Sequence, residues 1–380
     1  MKNIYLNYAA TTPMDEAVIE VMTDEMKNNF GNASTPDFTG RKAKAALQKS
    51  RQLIAKRINA NEKDIVFTSG GTESNNTAII STALSRKNLG KHIISTQIEH
   101  ESVMKPLAYL ESIGYEVTYL KPNEAGVVTV EQVQAALRDD TILVSIMIVN
   151  NEIGSIMPVK EIGELLKDHQ ALFHTDAVQG LGLLEIDVDE WQVDLLSTSA
   201  HKIYGPKFIG FLYIREGINL PSFIKGGDQE TKRRAGTENV PAIVGFAKAV
   251  EKLEDSKQLG EKYLGFKQSI TEYLKNNQID FEVNGSIDDP THVLNLWIKN
   301  VSRDILITRL DMVNIAVSGG SACTAGSLEP SHVLMAMFDN DARINESIRI
   351  SFGKMTTQDE IDSFNQALMA IVQELTDKEE

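Results

Sequence analysis

One cysteine, Cys323, in 380 residues leaves no partner for an intrachain disulfide and points to a reducing compartment. No apolar run reaches the roughly 18 residues that a membrane span needs, and the opening M-K-N-I-Y-L-N-Y has no apolar signal core. Positive charge is scarce: 38 Lys and Arg face 53 Asp and Glu, a net charge of -15, which argues against a general nucleic-acid binder. Internal repeats and low-complexity tracts are also lacking. What remains is the composition of a globular protein, 42% hydrophobic and 24% charged, in a chain long enough for two domains. The expectation is a cytoplasmic protein with no direct contact to nucleic acid or membrane.

Short apolar runs alternate with helical patterns from residue 64 onward. Strands are predicted at 64–68, 92–96, 115–120, 141–149, 171–175, 193–199 and 210–214, with helices at 73–86, 101–112, 130–138 and 159–168. This is the signature of βαβ units: an α/β fold with a mainly parallel mixed sheet and helices on both faces. Helices are also predicted at 15–28, 39–58 and in the stretch 240–277. Beyond it the pattern changes, with strands near 281–283, 292–298 and 313–317 and a last helix opened by a Thr357-x-x-Glu360 capping box. We expect a large domain over 15–255 and a smaller α+β domain built from 1–14 and 256–380. Residues 1–13 read as an extended arm. Between Arg41 and Arg57 lie seven basic residues and no acid, either a solvated helix face or a docking surface.

The stretch Val193–Ile214 places Ser199, His201 and Lys202 between two β-prone runs. A lysine so placed is either a desolvated amine nucleophile suited to Schiff-base chemistry or a strand-end lysine that snorkels to water. Ser69-Gly70-Gly71-Thr72-Glu73 follows a strand and opens a helix, as a phosphate-binding turn or an ordinary connection would. It matches neither the Walker nor the dinucleotide glycine pattern. Asp176 ends an apolar strand, where it either meets a cation or caps the next helix. One cation that fits is the protonated ring nitrogen of pyridoxal phosphate. Together these three features, in this order on a doubly wound pattern, match the needs of that cofactor.

Four further residues draw notice. His100 follows a strand and is either a ring-stacking or proton-transferring group or a structural histidine. Asn151 lies at another strand end. Arg349, inside the apolar run S-I-R-I-S-F, must be paired, and a substrate carboxylate suits its planar fork. Cys323, in V-S-G-G-S-A-C-T-A-G-S-L-E-P, has no apolar period around it and reads as an accessible loop thiol, nucleophilic as its thiolate. No metal site is predicted.

The motifs Y-L-N-Y-A-A-T-T-P, F-T-S-G-G-T-E-S-N-N, E-H at 99–100, V-N-N-E-I-G, T-D-A-V-Q, S-A-H-K-I-Y-G-P-K, R-R-A-G-T-E-N and G-S-A-C-T-A-G-S-L-E-P run nearly end to end. By them the chain resembles the cysteine desulfurases of the NifS/IscS type, group I, on the aspartate-aminotransferase scaffold (pyridoxal-phosphate fold type I). The resemblance implies that Lys202 forms the Schiff base, Asp176 faces the ring nitrogen and His100 stacks on the ring. Gln179 and Asn151 would contact the ring oxygen and substrate. Gly71, Thr72, Ser199 and His201 would hold the phosphate, with Thr237 reaching in from the second subunit of a homodimer. Arg349 would bind the carboxylate of L-cysteine, and Cys323 would take its sulfur as a persulfide, leaving L-alanine. The implied partner is a sulfur-acceptor protein, a tRNA thiolase or an iron–sulfur scaffold.

Three positions depart from that pattern: Asn7 where Asp is usual, Asp37 where His is common, and Phe208 in place of a frequent Gly. The chain also ends at Glu380 without the longer tail that some members use to dock a scaffold. A selenocysteine or cysteine-sulfinate lyase shares the amine and carboxylate requirements. A plain aminotransferase has no need of a loop cysteine. The alternative outside catalysis is a phosphate- or nucleotide-binding module on a doubly wound sheet, which would lack the visible absorbance of a lysine-bound pyridoxal phosphate.

Overall fold

The structure, a computed structural model, describes residues 3–320, 330–338 and 340–376. The N-terminal arm begins with a two-residue strand, β1 (Ile4–Tyr5). The main sheet has seven strands: β2 (Ile65–Thr68), β3 (His92–Thr96), β4 (Glu116–Leu120), β5 (Thr141–Ser145), β6 (Leu172–Asp176), β7 (Leu195–Ser197) and β8 (Gly210–Ile214). Their order is β2-β8-β7-β6-β5-β3-β4, with β8 antiparallel to both neighbours and the other pairs parallel. Six of the strands are buried at every residue, so their sequences read as nearly continuous apolar runs. The half-exposed edge strand β4 is the exception. Successive residues alternate between two cores, with Ile65, Phe67, Phe173, Leu196 and Phe211 on one face and Val66, Leu172, Leu195 and Leu212 on the other.

The β5 ladder stops at Ser145, short of the predicted 149, and the chain runs on as the loop that carries Asn151. The helix expected at 73–86 spans 71–86 and widens to a π turn over 77–81. Within 240–277 the chain breaks into Val240–Glu251 and Ser256–Asn276, because the Asp255 side chain accepts the Gln258 N–H and starts a new helix.

A second unit follows. Strands β9 (Phe281–Asn284), β10 (Val293–Ile298) and β12 (Ser347–Ser351) form an antiparallel sheet, and β11 (Ile315–Ala316) pairs in parallel with β1. Ile4 and Leu6 of the arm share an apolar cluster with Phe266, Leu296, Ile350 and Phe364. Val333, Leu334, Met337 and Ile344 instead join the core beneath the large sheet. The last helix, Gln358–Thr376, opens with the reciprocal Thr357–Glu360 box.

The basic helix, Phe38–Arg57, is less free than its composition implies. Arg51 is buried in a bidentate pair with Glu230 at 2.8 Å, Arg57 pairs with Glu185, and Lys42 donates to the Asn28 carbonyl. Asp37 is the N-cap of this helix, accepting from the N–H groups of Thr39 and Gly40. These donors, led by the Thr39 hydroxyl, hold its carboxyl well below the usual range.

Candidate active site

Strands β2, β3, β5, β6 and β7 all end at one edge of the sheet, the edge where open α/β folds bind ligands. After β2 the chain turns at Gly70, whose φ of +145° suits only glycine, and starts a helix at Gly71. The turn rests on the first residue of β8. A Cβ on Gly210 would lie 2.8 Å from Gly70 Cα and 2.3 Å from the Thr198 carbonyl oxygen. Glu73 fixes the turn from inside, accepting from Ser69 N at 2.8 Å and from Arg234 Nε at 2.9 Å. Burial pushes the Glu73 carboxyl up, but the bonds from Arg234 and Ser69 outweigh it and hold it below the ordinary range.

Among the described residues Asp176, at the end of β6, meets neither a cation nor the start of a helix: its partners are a neutral amide and a turn N–H. One carboxylate oxygen accepts Val178 N at 2.9 Å in a local turn; the other accepts Asn75 Nδ2 at 2.7 Å. Asn75 also donates to Ser102 Oγ at 2.8 Å, and that hydroxyl lies 2.8 Å from His100 Nδ1. His100 is the N-cap of helix Glu101–Ser112, its Nδ1 facing Ser102 N at 3.1 Å. The neighbouring Glu99 is wholly buried, its Oε1 accepting Thr96 Oγ1 and Met147 N. Burial pushes its carboxyl up to about 8, with the charge of Asp176 adding to the shift.

Lys202 follows β7, and its Nζ donates to the carbonyls of Ala9 at 2.6 Å and Ala10 at 2.8 Å. The N-terminal arm thus enters the site through its backbone. Gln179 Nε2 donates to the same Ala9 carbonyl, and Thr12 Oγ1 donates to the His201 carbonyl. His201 Nδ1 lies 3.1 Å from Thr11 Oγ1; burial first, then the cations of Lys202 and Lys207, bring its imidazole down to about 4. It is therefore neutral at neutral pH.

Arg349 sits in β12 and is 1% exposed. Its Nη1 donates to the Asn151 carbonyl at 2.8 Å and its Nη2 to Asn7 Oδ1 at 3.0 Å. The Arg349 backbone is paired in both directions with Ser318. Farther along, Ser331 Oγ donates to Glu152 Oε2 at 2.6 Å and His332 Nε2 lies 2.8 Å from the Glu99 carbonyl. Cys323 falls in sequence between these anchors and lies outside the described residues.

A cavity of about 830 Å³ brings together Lys202, Asp176, Gln179, His100, Asn151 and Arg349, and the turn residues Gly71 and Thr72 with Ser199 and His201. Thr237 is exposed and does not line it. Phe208 does, 79% exposed and with φ at +60°, a conformation that glycine adopts more readily than phenylalanine.

The sequence profile of the class-V aminotransferases matches residues 4–364. The chain belongs to the class-V aminotransferase family. Within that family, an IscS 1 protein of Bacillus subtilis is 49% identical over 99% of this chain and 100% of its own. A protein of Dictyoglomus turgidum named cysteine desulfurase IscS is 42% identical, covering 98% of this chain and 95% of its own. A solved NifS-like protein superposes with a TM-score of 0.92 at 32% identity, over 98% of this chain and 100% of that one. The fold is accordingly that of the type I enzymes.

Sequence reasoning missed two residues of this class-V aminotransferase site, Asn75 and Ser102, which sit in helical stretches that carry no chemical signal. Their burial, at 0% and 8% exposure, is set by how the helices pack and leaves no mark in the sequence. Asn7 was noted as a departure from the usual Asp, and the structure sets it against Arg349.

Proposed function

We propose that this chain is a pyridoxal-phosphate-dependent cysteine desulfurase, a sulfurtransferase that converts L-cysteine to L-alanine and passes the sulfur on from Cys323. The observation that carries the reading is the single cavity that gathers a half-buried lysine in the turn after β7, a buried carboxylate, a glycine turn and a buried arginine. The residues fit the cofactor. Gly70 and Gly71 leave room for backbone approach to a phosphate, where Thr72, Ser199 and His201 would bind it. Lys202 offers the amine, and Asp176 offers a buried anion to the ring nitrogen. Gln179 and His100 would meet the ring oxygen and the ring face. Bound there, pyridoxal phosphate supplies the electron sink that makes bonds near the amino acid's Cα labile.

The chain's own residues do the rest. The Arg349 fork takes the substrate carboxylate, with Asn151 beside it, and so presents the substrate sulfur to the Cys323 thiolate. The C–S bond breaks, sulfur passes to Cys323 as a persulfide and a proton replaces it on the substrate carbon. The two thiols and the alanine balance without an external oxidant. A free thiol serving this way belongs in a reducing, cytoplasmic setting.

Thr237 completes the phosphate site of a second copy in a homodimer. Its position outside this chain's cavity supports that, as do the exposed Phe30 and Phe38. Residues 1–14 and 256–380 form the small domain, supported by the cluster that joins Ile4 and Leu6 to the C-terminal helices. The acceptor is a sulfur-receiving protein, a tRNA thiolase or an iron–sulfur scaffold.

The test is Cys323→Ser. It retains the cofactor and binds cysteine but yields no alanine, while wild-type protein treated with cysteine gains about 32 Da on the peptide that contains Cys323. Alanine production by the serine variant at a rate near wild type overturns the reading.

A further inference from the structure

Asp176 and His100 are joined by a continuous hydrogen-bonded chain through buried Asn75 and cavity-lining Ser102, neither of which has been given a role so far. We propose that Asn75 and Ser102 are positioning residues that fix the imidazole of His100 with its proton on Nε2 and tie its orientation to the Asp176 carboxylate. The inference rests on the reading above, in which these two groups face the pyridoxal ring.

The donor directions can be assigned one by one. The Ser102 backbone N–H can only donate, and it faces His100 Nδ1 at 3.1 Å, so Nδ1 is the acceptor nitrogen. A carboxylate can only accept, so it is the Nδ2 of Asn75 that faces Asp176, at 2.7 Å. The second hydrogen of that amide goes to Ser102 Oγ at 2.8 Å. With its oxygen accepting from Asn75, the Ser102 hydroxyl turns its own hydrogen to Nδ1, 2.8 Å away. In this arrangement neutral His100 carries its proton on Nε2. Asn75 is fully buried and Asp176 is 5% exposed, so water does not readily replace either bond.

A substitution at either link changes the imidazole's partners and keeps every residue assigned to hold the ligand, although Ser102 itself lines the cavity. Loss of the Ser102 hydroxyl leaves Nδ1 with the backbone N–H alone. Loss of the Asn75 amide frees the Ser102 hydroxyl to rotate. In both cases the preference for one tautomer weakens, and the ring gains freedom.

The experiment is long-range ¹H–¹⁵N NMR of histidine-labelled cofactor-loaded protein, with the His100 signal assigned by its loss in His100→Gln. The wild type shows protonated Nε2 and bare Nδ1. Ser102→Ala and Asn75→Ala show averaging between tautomers, and Ser102→Thr restores the wild-type pattern. In parallel, kcat of both alanine variants falls about tenfold to a hundredfold while KM stays within about twofold, less than the full worth of a general acid–base group. A wild-type His100 protonated on Nδ1 overturns the proposal, as does an unchanged tautomer in Ser102→Ala, the milder of the two substitutions. The NMR readout needs no turnover, so its failure is distinct from failure of the desulfurase reading, which the Cys323→Ser assay decides.

Discussion

Asn7 Oδ1 accepts a hydrogen bond from Arg349 Nη2 at 3.0 Å, so a neutral amide meets this face of the buried guanidinium. An aspartate at that point would place a full negative charge beside the group assigned to the substrate carboxylate. Asn7→Asp should therefore raise the KM for cysteine about tenfold, equivalent to roughly 1.4 kcal/mol, with kcat little changed. Steady-state alanine formation checks this, and a KM within twofold of wild type refutes it.

The buried pair Arg51–Glu230 supports a run of three left-handed residues, Glu230, Thr231 and Lys232, with φ of 47°, 57° and 67°. Glu230 Oε2 also accepts the Phe67 N–H of β2. Glu230→Ala strands the guanidinium and releases that run, which carries Arg234 towards Glu73. It should cost about 3–5 kcal/mol in urea unfolding. A loss below about 1 kcal/mol would contradict this account.

Stability should peak near pH 6.5. Burial brings His174 down to about 3, between Ser145 Oγ and Ser197 Oγ across three strands, and His292 likewise to about 3. Each folded histidine binds fewer protons than its unfolded counterpart below about 6.5, so stability is lost as pH falls, by at most about 1.4 kcal/mol per unit for each group. Glu99 runs the other way. Its folded carboxyl titrates at about 8, above the unfolded value, so its contribution is lost as pH rises towards 8. Urea midpoints at pH 5, 6.5 and 8 test both limbs, and Glu99→Gln should flatten the alkaline one. A midpoint that keeps rising from pH 6.5 to 8 would rule out the role given to Glu99.

Gly210→Ala should weaken cofactor retention about tenfold or more while every ligand to the cofactor is kept. The added methyl meets Gly70 Cα and the Thr198 carbonyl, and the strand cannot yield as easily as the turn. Equilibrium dialysis with pyridoxal phosphate measures it, with far-ultraviolet circular dichroism as the control for folding. Unaltered affinity in a folded variant would show that the turn adapts.

Much of the site was legible because its residues break the local pattern. Asp176 and Arg349 are charged groups at the end or middle of apolar strands, where burial demands a partner, and Lys202 lies in a half-buried turn between two such strands. The fold was legible for a related reason: six strands buried on both faces write themselves as apolar runs. Asn75 and Ser102 were not legible, since a polar residue in a helix shows its burial only once the helix is packed. The basic helix shows the reverse error: Arg51, counted with a surface charge run, is committed to the interior. Asp37 also gained a role that its spacing did not announce, as the N-cap of that helix.

The grip on Lys202 has a consequence for how this protein can be dissected. Two oxygens that hold its Nζ belong to the peptide groups of Ala9 and Ala10, so no exchange of side chains removes them. A complete substitution library at these two positions would report on packing and stay silent about the contact itself. Only chemistry on the main chain reaches it: an ester in place of the amide after Ala9 or Ala10 turns the holding oxygen into a poorer acceptor and leaves every side chain in place. The lysine proposed to form the Schiff base is thus held at two points by the part of the chain that the genetic code does not vary.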